Sequence, residues 1–458
     1  MSHPPLVVIN VVGLTPAHLG ADTPNLTRLA DAGFACPLEP VLPAVTCTAQ
    51  ATMLTGLSPR DHGVVANGWY FRDLAEPWLW RQSNHLVTGE KVWETARRSR
   101  PGLRCAKMFW WFNMYSSADV AVTPRPIYPA DGRKLPGIYT APARYERSLQ
   151  ETLGPFPLFH FWGPAADIRS TKWIADASRV VFDEERPDLT LVYLPHLDYN
   201  MQRLGPDDPR VRQDVRAVDQ VAGQLIDHVR GAGAEVLVVS EYGIEAATGV
   251  VRINQVLREA GLIEVRETLG WEMLDAGASR AFAVADHQLA HVYVKDPADM
   301  ARVTALLRGQ GGIERLYAGD DRAEIGLDHP RSGEIVALAA PGFWFAYYYW
   351  LDEARAPDFA RTVDIHRKPG YDPVELFLDP DLPLVKGRIA WTLLKKKLGF
   401  RTLMSVISLR PELVKGTHGR PPASPDVGPL LISSSRDDAA DSKPMAAVKD
   451  LILRRLLR

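Results

Sequence analysis

With 458 residues, 46% of them apolar, the chain can bury a large core, either as one α/β domain with insertions or as two or three smaller units. Its formal net charge of −2, with 24% charged residues, excludes a global electrostatic case for a nucleic-acid polymer as partner, so any anion must be held locally. Cys36, Cys47 and Cys105 form no paired framework, and no apolar run approaches the roughly 20 residues that span a bilayer, so a reducing, cytoplasmic setting is expected.

Leu6–Val12 is short, apolar and interrupted by Asn10, and reads as a buried first strand rather than a signal peptide. Thr23–Gly33, with a Thr cap, Pro in the first turn and a terminal Gly, predicts a helix. In the run from Pro43 to Gly68 (PAVTCTAQATMLTGLSPRDHGVVANG), Pro43 ends an extended segment, and Thr46–Leu54 can form two helical turns closed by Thr55-Gly56. The Thr46 hydroxyl then lies among unpaired N–H groups that favour an anion, although a lone Thr at a helix start is ordinarily only a cap.

The stretch from about 76 to 180 is rich in aromatics, among them Trp78, Trp80 and Phe109-Trp110-Trp111-Phe112. It is too long for a plain loop and reads as an insertion capping the site, its aromatics favoured as packing over a stacking surface. Leu189–Leu194, Glu235–Ser240 and Glu334–Ala340 predict further strands buried on both faces of a parallel sheet, Asp208–Gly231 a helix between them, and about 263–326 a second insertion. That pattern is doubly wound α/β, with functional groups beyond the carboxyl ends of the strands. Lys386–Arg410 and Pro444–Arg458 mix basic and apolar residues across a Ser/Asp/Ala-rich linker at Ser433–Ser442. We therefore divide the chain into a catalytic domain, 1–435, and a linker with a basic amphipathic tail, 436–458, which either docks on the protein or touches an anionic membrane peripherally.

The segment from Pro43 to Asn67 resembles the nucleophile motif of the type I phosphodiesterase/nucleotide pyrophosphatase family of the alkaline phosphatase superfamily, in its Thr, Thr-Gly, Pro-x-x-His-Gly and Asn spacing. The resemblance implies an alkaline phosphatase-like α/β fold, with a doubly wound, mostly parallel central sheet flanked by helices and insertions forming a cap. It implies Thr46 as nucleophile, Asn67 as donor to a non-bridging phosphate oxygen, and two divalent ions flanking the phosphate. Val12 stands where the family has its first Asp ligand, with Asn10 two residues earlier on the same side of the strand. Asp198 is kept, but Gln202 replaces the His four residues on. Ser240-Glu241-Tyr242-Gly243 replaces Ser-Asp-His-Gly, whereas Gly416-Thr417-His418-Gly419 is intact.

The candidate ligands are thus Asp198, Glu241 and His418, then Gln202, Asn10 and Tyr242, an oxygen-rich set that leans toward Mn²⁺ or Mg²⁺ over Zn²⁺. Asp364 and His366, which alternate as on one face of a strand, Lys368 and His287 form a second tier, and His62 reads as structural. The function so implied is metal-assisted hydrolysis of a small phosphodiester or pyrophosphate through a threonine nucleophile. Two alternatives stay open: a superfamily relative with altered chemistry (phosphonate or sulfuric-ester hydrolysis, phosphotransfer), and a silent binding protein that has lost its metals. Oligomeric state is not legible.

Overall fold

The computed structural model describes residues 3–458. Its centre is a nine-stranded sheet ordered Lys443–Pro444, Phe34–Glu39, Leu430–Ser433, Glu235–Val239, Leu6–Val11, Leu189–Leu194, Cys105–Met108, Val120–Pro124, Ile138–Ala141. The five strands from Glu235–Val239 to Val120–Pro124 run parallel, and Leu6–Val11 lies in register between Leu189–Leu194 and Glu235–Val239. Leu6–Val11 and Leu189–Leu194 are buried along their whole length, as mainly apolar runs are when helices cover both faces. Those covers include Pro24–Ala32, Ile168–Glu185, Val211–Gly231 and Ala447–Leu456.

Two expectations need correction. The segment 76–180 is not simply a cap, because it supplies Cys105–Met108, Val120–Pro124 and Ile138–Ala141 to the central sheet. Its aromatics Phe109, Trp110, Trp111 and Phe112 are buried in the protein, so the packing reading holds for them. The predicted strand at Glu334–Ala340 exists as Ile335–Ala339 but lies in a separate four-stranded antiparallel sheet with Ala281–Asp286, Leu289–Val294 and Ile313–Ala318. Two-sided burial produced the same apolar run in both settings.

For the C-terminal segment, the sequence leaves docking and membrane contact both open. Ala447–Leu456 packs against the Thr46–Thr55 and Val92–Ser99 helices, burying Val448, Leu451, Ile452 and Leu456. Arg455 is buried too, its guanidinium paired with Glu235, Asp437 and Asp438. The apolar face that would have entered a membrane is spent on the core, so the docked-helix alternative describes this tail. Among the described residues no helix is long and apolar enough to cross a bilayer.

Candidate active site

The site forms where the parallel strands end. The Val12 amide donates to the Leu194 carbonyl at 3.1 Å, and just beyond these strand ends the chain places Asp198 after one strand and Glu241-Tyr242 after the next. Opposite them the helix Thr46–Thr55 begins, with all ten of its residues buried and Gly56 closing it at φ +67°. Thr46 is the first helical residue rather than the cap, which is Val45. The Cys47 amide is taken by Asn67 Oδ1 at 2.9 Å, whereas the Thr46 and Thr48 amides have no acceptor among the described residues. A helix start with free donors is the local preference for an anion expected from the sequence. The His418 loop braces this turn, with His418 Nδ1 at 2.8 Å from the Ala44 carbonyl and the Ala44 amide donating to Gly419.

The Thr46 hydroxyl lies 3.2 Å from the Tyr242 hydroxyl, which donates to Asp198 Oδ1 at 3.3 Å. Gln202 Nε2 donates to the other Asp198 oxygen at 2.8 Å, and Tyr371 holds Gln202 by donating to its Oε1 at 2.9 Å. Tyr242 stacks on His418 at 3.5 Å, and His287 stacks between His418 and Tyr371. Burial, with the nearby Glu241 charge, pushes the Asp198 carboxyl up to about 7. Burial also drives His418 and His287 well below the usual imidazole range, so both rings are neutral at pH 7.

Glu241 sits beside this row, near enough for its charge to bear on Asp198. Asn10 Nδ2 and Gln50 Nε2 both donate to its Oε1, at 2.5 and 2.6 Å, and burial raises it to about 7. Gln50 is oriented by the aromatic segment: the Trp111 amide donates to Gln50 Oε1 at 2.7 Å, and buried Lys107 fixes that turn through the Trp111 and Phe112 carbonyls. Asn67 spans both sides, its Nδ2 and amide donating to Asp286 at 3.1 and 2.7 Å. Asp286 in turn meets His287 Nδ1 at 2.7 Å and is raised by burial to about 6.

The structure thus brings together Thr46, Asn67, Asp198, Gln202, Glu241, Tyr242, Asn10, His418 and His287. It does not bring in the rest of the second tier. Lys368 is buried in an ion-pair knot with Asp372 and Glu375, at 2.7 and 2.8 Å. Asp364 and His366 lie in turns and share no strand face, and His366 meets only the Leu79 carbonyl at 3.4 Å. His62 is structural as expected, its two ring nitrogens on Thr52 and the Val64 amide. Gln50 and Tyr371 were missed. Gln50 carried a signal, a polar residue four after Thr46 and so on the same face of an otherwise buried helix.

These side chains do not fit a two-metal centre. Val12 offers no ligand, and Tyr242 places a hydroxyl between Thr46 and Asp198. The amides of Asn10 and Gln50 turn their N–H groups toward Glu241 Oε1 and that of Gln202 toward Asp198 Oδ2, so these oxygens already accept hydrogen bonds. Among the described residues no three His, Cys, Asp or Glu side chains converge as a metal-binding group. The six predicted ligands are therefore neighbours but not a coordination sphere. Several buried atoms at the site nevertheless have no hydrogen-bond partner, among them Glu241 Oε2, Asn10 Oδ1, His418 Nε2 and His287 Nε2. A cavity of about 230 Å³, lined by Ala44, Tyr242, His418, Gln288 and Arg420 among others, leads to the Tyr242–His418 stack.

The family model for type I phosphodiesterase/nucleotide pyrophosphatase matches residues 6–372. The chain belongs to this family. Family members generally depend on divalent metal ions, which makes the substituted ligand positions of this chain a departure from the type I phosphodiesterase pattern. An uncharacterized pyrophosphatase/phosphodiesterase of Schizosaccharomyces pombe is 26% identical over 251 residues, 52% of this chain and 44% of that protein. The venom phosphodiesterase of Naja atra is 23% identical over 254 residues, 53% of this chain and 26% of that protein. The chain thus aligns with less than half the length of either relative. Among solved structures, an inactive variant of murine ectonucleotide pyrophosphatase/phosphodiesterase 5 in complex with AMP superposes with a TM-score of 0.59 at 15% identity, covering 99% of this chain and 95% of that one. Phosphonoacetate hydrolase from Sinorhizobium meliloti 1021, in complex with phosphonoacetate, gives 0.64 at 13%, covering 99% and 96%. The fold is alkaline phosphatase-like.

Proposed function

We propose that this chain hydrolyses phosphoric esters of small molecules, phosphodiesters or pyrophosphates, with Thr46 as the nucleophile. The observation that carries the reading is the unbroken row Thr46, Tyr242, Asp198 at a helix start with free amides. Because the one Tyr242 proton is directed to Asp198, the Thr46 proton is directed to the Tyr242 oxygen. As the Thr46 oxygen bonds to phosphorus, its proton passes to Tyr242 while the Tyr242 proton passes to Asp198, and the bond from phosphorus to the leaving oxygen breaks. Water then cleaves the phosphothreonyl ester and the protons return. The Thr46 and Thr48 amides are the donors available to the developing oxyanion, and Asn67 positions that turn through the Cys47 amide. No step is routed through a metal, because the donor set does not form one's ligands.

The family and the AMP complex of the murine neighbour support nucleotide-like substrates, and the phosphonoacetate hydrolase neighbour supports a phosphonate as the altered-chemistry alternative. A silent binding protein is the second reading, favoured by the burial of Thr46 beside Tyr242. Turnover of an aryl phosphodiester by the wild type, by Thr46→Ala and by Thr46→Ser separates them. Hydrolysis abolished in the Ala variant and partly kept in the Ser variant supports the reading, equal hydrolysis by Thr46→Ala refutes the nucleophile, and absence of turnover in all three favours the silent binder.

A further inference from the structure

The helix Val385–Lys397 is built opposite to an ordinary surface helix. The apolar residues it turns inward are the partly buried Val385 and Ile389, one turn apart. The stripe at Leu384, Trp391, Leu394 and Leu398, spaced seven, three and four residues, faces solvent, with Trp391 56% and Leu398 65% exposed. Phe400 and Leu403 continue the exposed apolar surface past the helix end. From 382 to 404 the chain carries Lys386, Arg388, Lys395, Lys396, Lys397 and Arg401 and no acidic residue. Lys395 lies over the Trp391 ring at 5.3 Å.

This surface continues onto a neighbouring loop. Arg401 donates to the Ala130 carbonyl, and the same loop, tied by the Ile127–Leu135 bridge, exposes Ile127 and Tyr128. The one acid at its tip, Asp131, is paired with Arg133. Lys134 on this loop lies in the fields of Glu375, Asp364 and Lys396, and the segment from Asp364 continues to Tyr371 in the site.

We infer that this face docks the protein on an anionic lipid bilayer. An apolar stripe with an aromatic at its centre and a one-signed flank of cations is complementary to the headgroup boundary, where Trp and Leu enter the acyl edge and the cations meet lipid phosphates and carboxylates. A second copy of this chain would bring six like charges against six, which disfavours self-association through the same surface. The inference is independent of the chemistry at Thr46, and it moves membrane contact from the C-terminal tail, whose apolar face is buried, to this helix.

Co-sedimentation of the full chain with phosphatidylcholine vesicles, with and without phosphatidylserine, tests it. Binding is expected to require phosphatidylserine and to fade as added salt shortens the Debye length from ~10 Å to ~3 Å. Each cation near the surface is worth about fivefold in partitioning, so Lys395→Gln/Lys396→Gln/Lys397→Gln should bind about a hundredfold more weakly. Trp391→Ala/Leu394→Ala should also bind more weakly. Trp391, Leu394 and Lys397 are exposed, and Lys395 and Lys396 are only partly covered, so both variants should keep the wild-type Tm. The three native cysteines are buried, so an environment-sensitive dye on Leu394→Cys reports this face alone, and its emission should shift blue on anionic vesicles. Lack of binding to anionic vesicles at low salt overturns the inference. So does binding that both variants leave unchanged, or a dimer in solution that Trp391→Ala/Leu394→Ala dissociates.

Discussion

Tyr242→Phe removes one oxygen and leaves the ring, and with it the 3.5 Å stack on His418, in place. The lost oxygen lies 3.2 Å from the Thr46 hydroxyl and 3.3 Å from Asp198 Oδ1, and it is the link between them. A positioned proton acceptor contributes roughly 10²–10⁴ in rate, so kcat/KM on an aryl phosphodiester should fall by that factor. The structural cost is confined to the two buried hydrogen bonds of that oxygen, about 1–3 kcal/mol each, because Asp198 keeps its bond from Gln202. The pH profile separates this role from mere packing. Asp198, raised to about 7 by burial, accepts a proton only when ionised, so wild-type kcat/KM should rise with pH through about 7. In Tyr242→Phe the residual rate is uncoupled from Asp198 and that rise should vanish. A variant with the wild-type rate and the same acid limb would refute the relay.

Two further outcomes follow from burial. Glu241, fully buried and raised from 4.5 to about 7, is favoured in its neutral form by the fold, so its contribution to stability is present below pH 4.5 and is lost as pH rises to about 7. Glu241→Gln cannot ionise, so its stability relative to wild type should climb by roughly 3 kcal/mol across that window in parallel denaturant melts, the histidine contributions cancelling; a difference independent of pH would show Glu241 to be ionised throughout. Truncation after Ser435 removes Val448, Leu451, Ile452 and Leu456 from the core, at roughly 1.5–3 kcal/mol each, a loss comparable with the whole stability of a domain. The truncated chain should fail to fold, and a wild-type Tm would contradict the docked position of this helix.

The parallel core was legible because Leu6–Val11, Leu189–Leu194 and Glu235–Val239 are buried on both faces over nearly their whole length and read as mainly apolar runs. Ile335–Ala339 reads the same way yet pairs antiparallel in another sheet, since burial sets the composition and the partner sets the direction. Thr46 and Asn67 were legible from motif spacing, and so were Asp198, Glu241 and His418 as neighbours. What the linear pattern hid was the meaning of the substitutions. Gln50, from the nucleophile helix, and Asn10 come together only in the fold to give Glu241 two amide donors, and Tyr371, far along the chain, orients Gln202 onto Asp198. The basic C-terminal tail was ambiguous for a related reason: alternating cations and aliphatics suit a membrane face, but Arg455 is matched by Glu235, Asp437 and Asp438, which only the fold assembles.

The central claim is that Thr46 takes the phosphoryl group using side chains of this chain for proton transfer. Acid-quenched mass spectrometry of chelator-treated protein mixed with an aryl phosphodiester tests it most directly. The account predicts an added phosphoryl mass on the peptide carrying Thr46, absent from Thr46→Ala and formed without added divalent ions. A protein that turns the ester over with no adduct at Thr46, or that forms the adduct only when a divalent ion is restored, would contradict it.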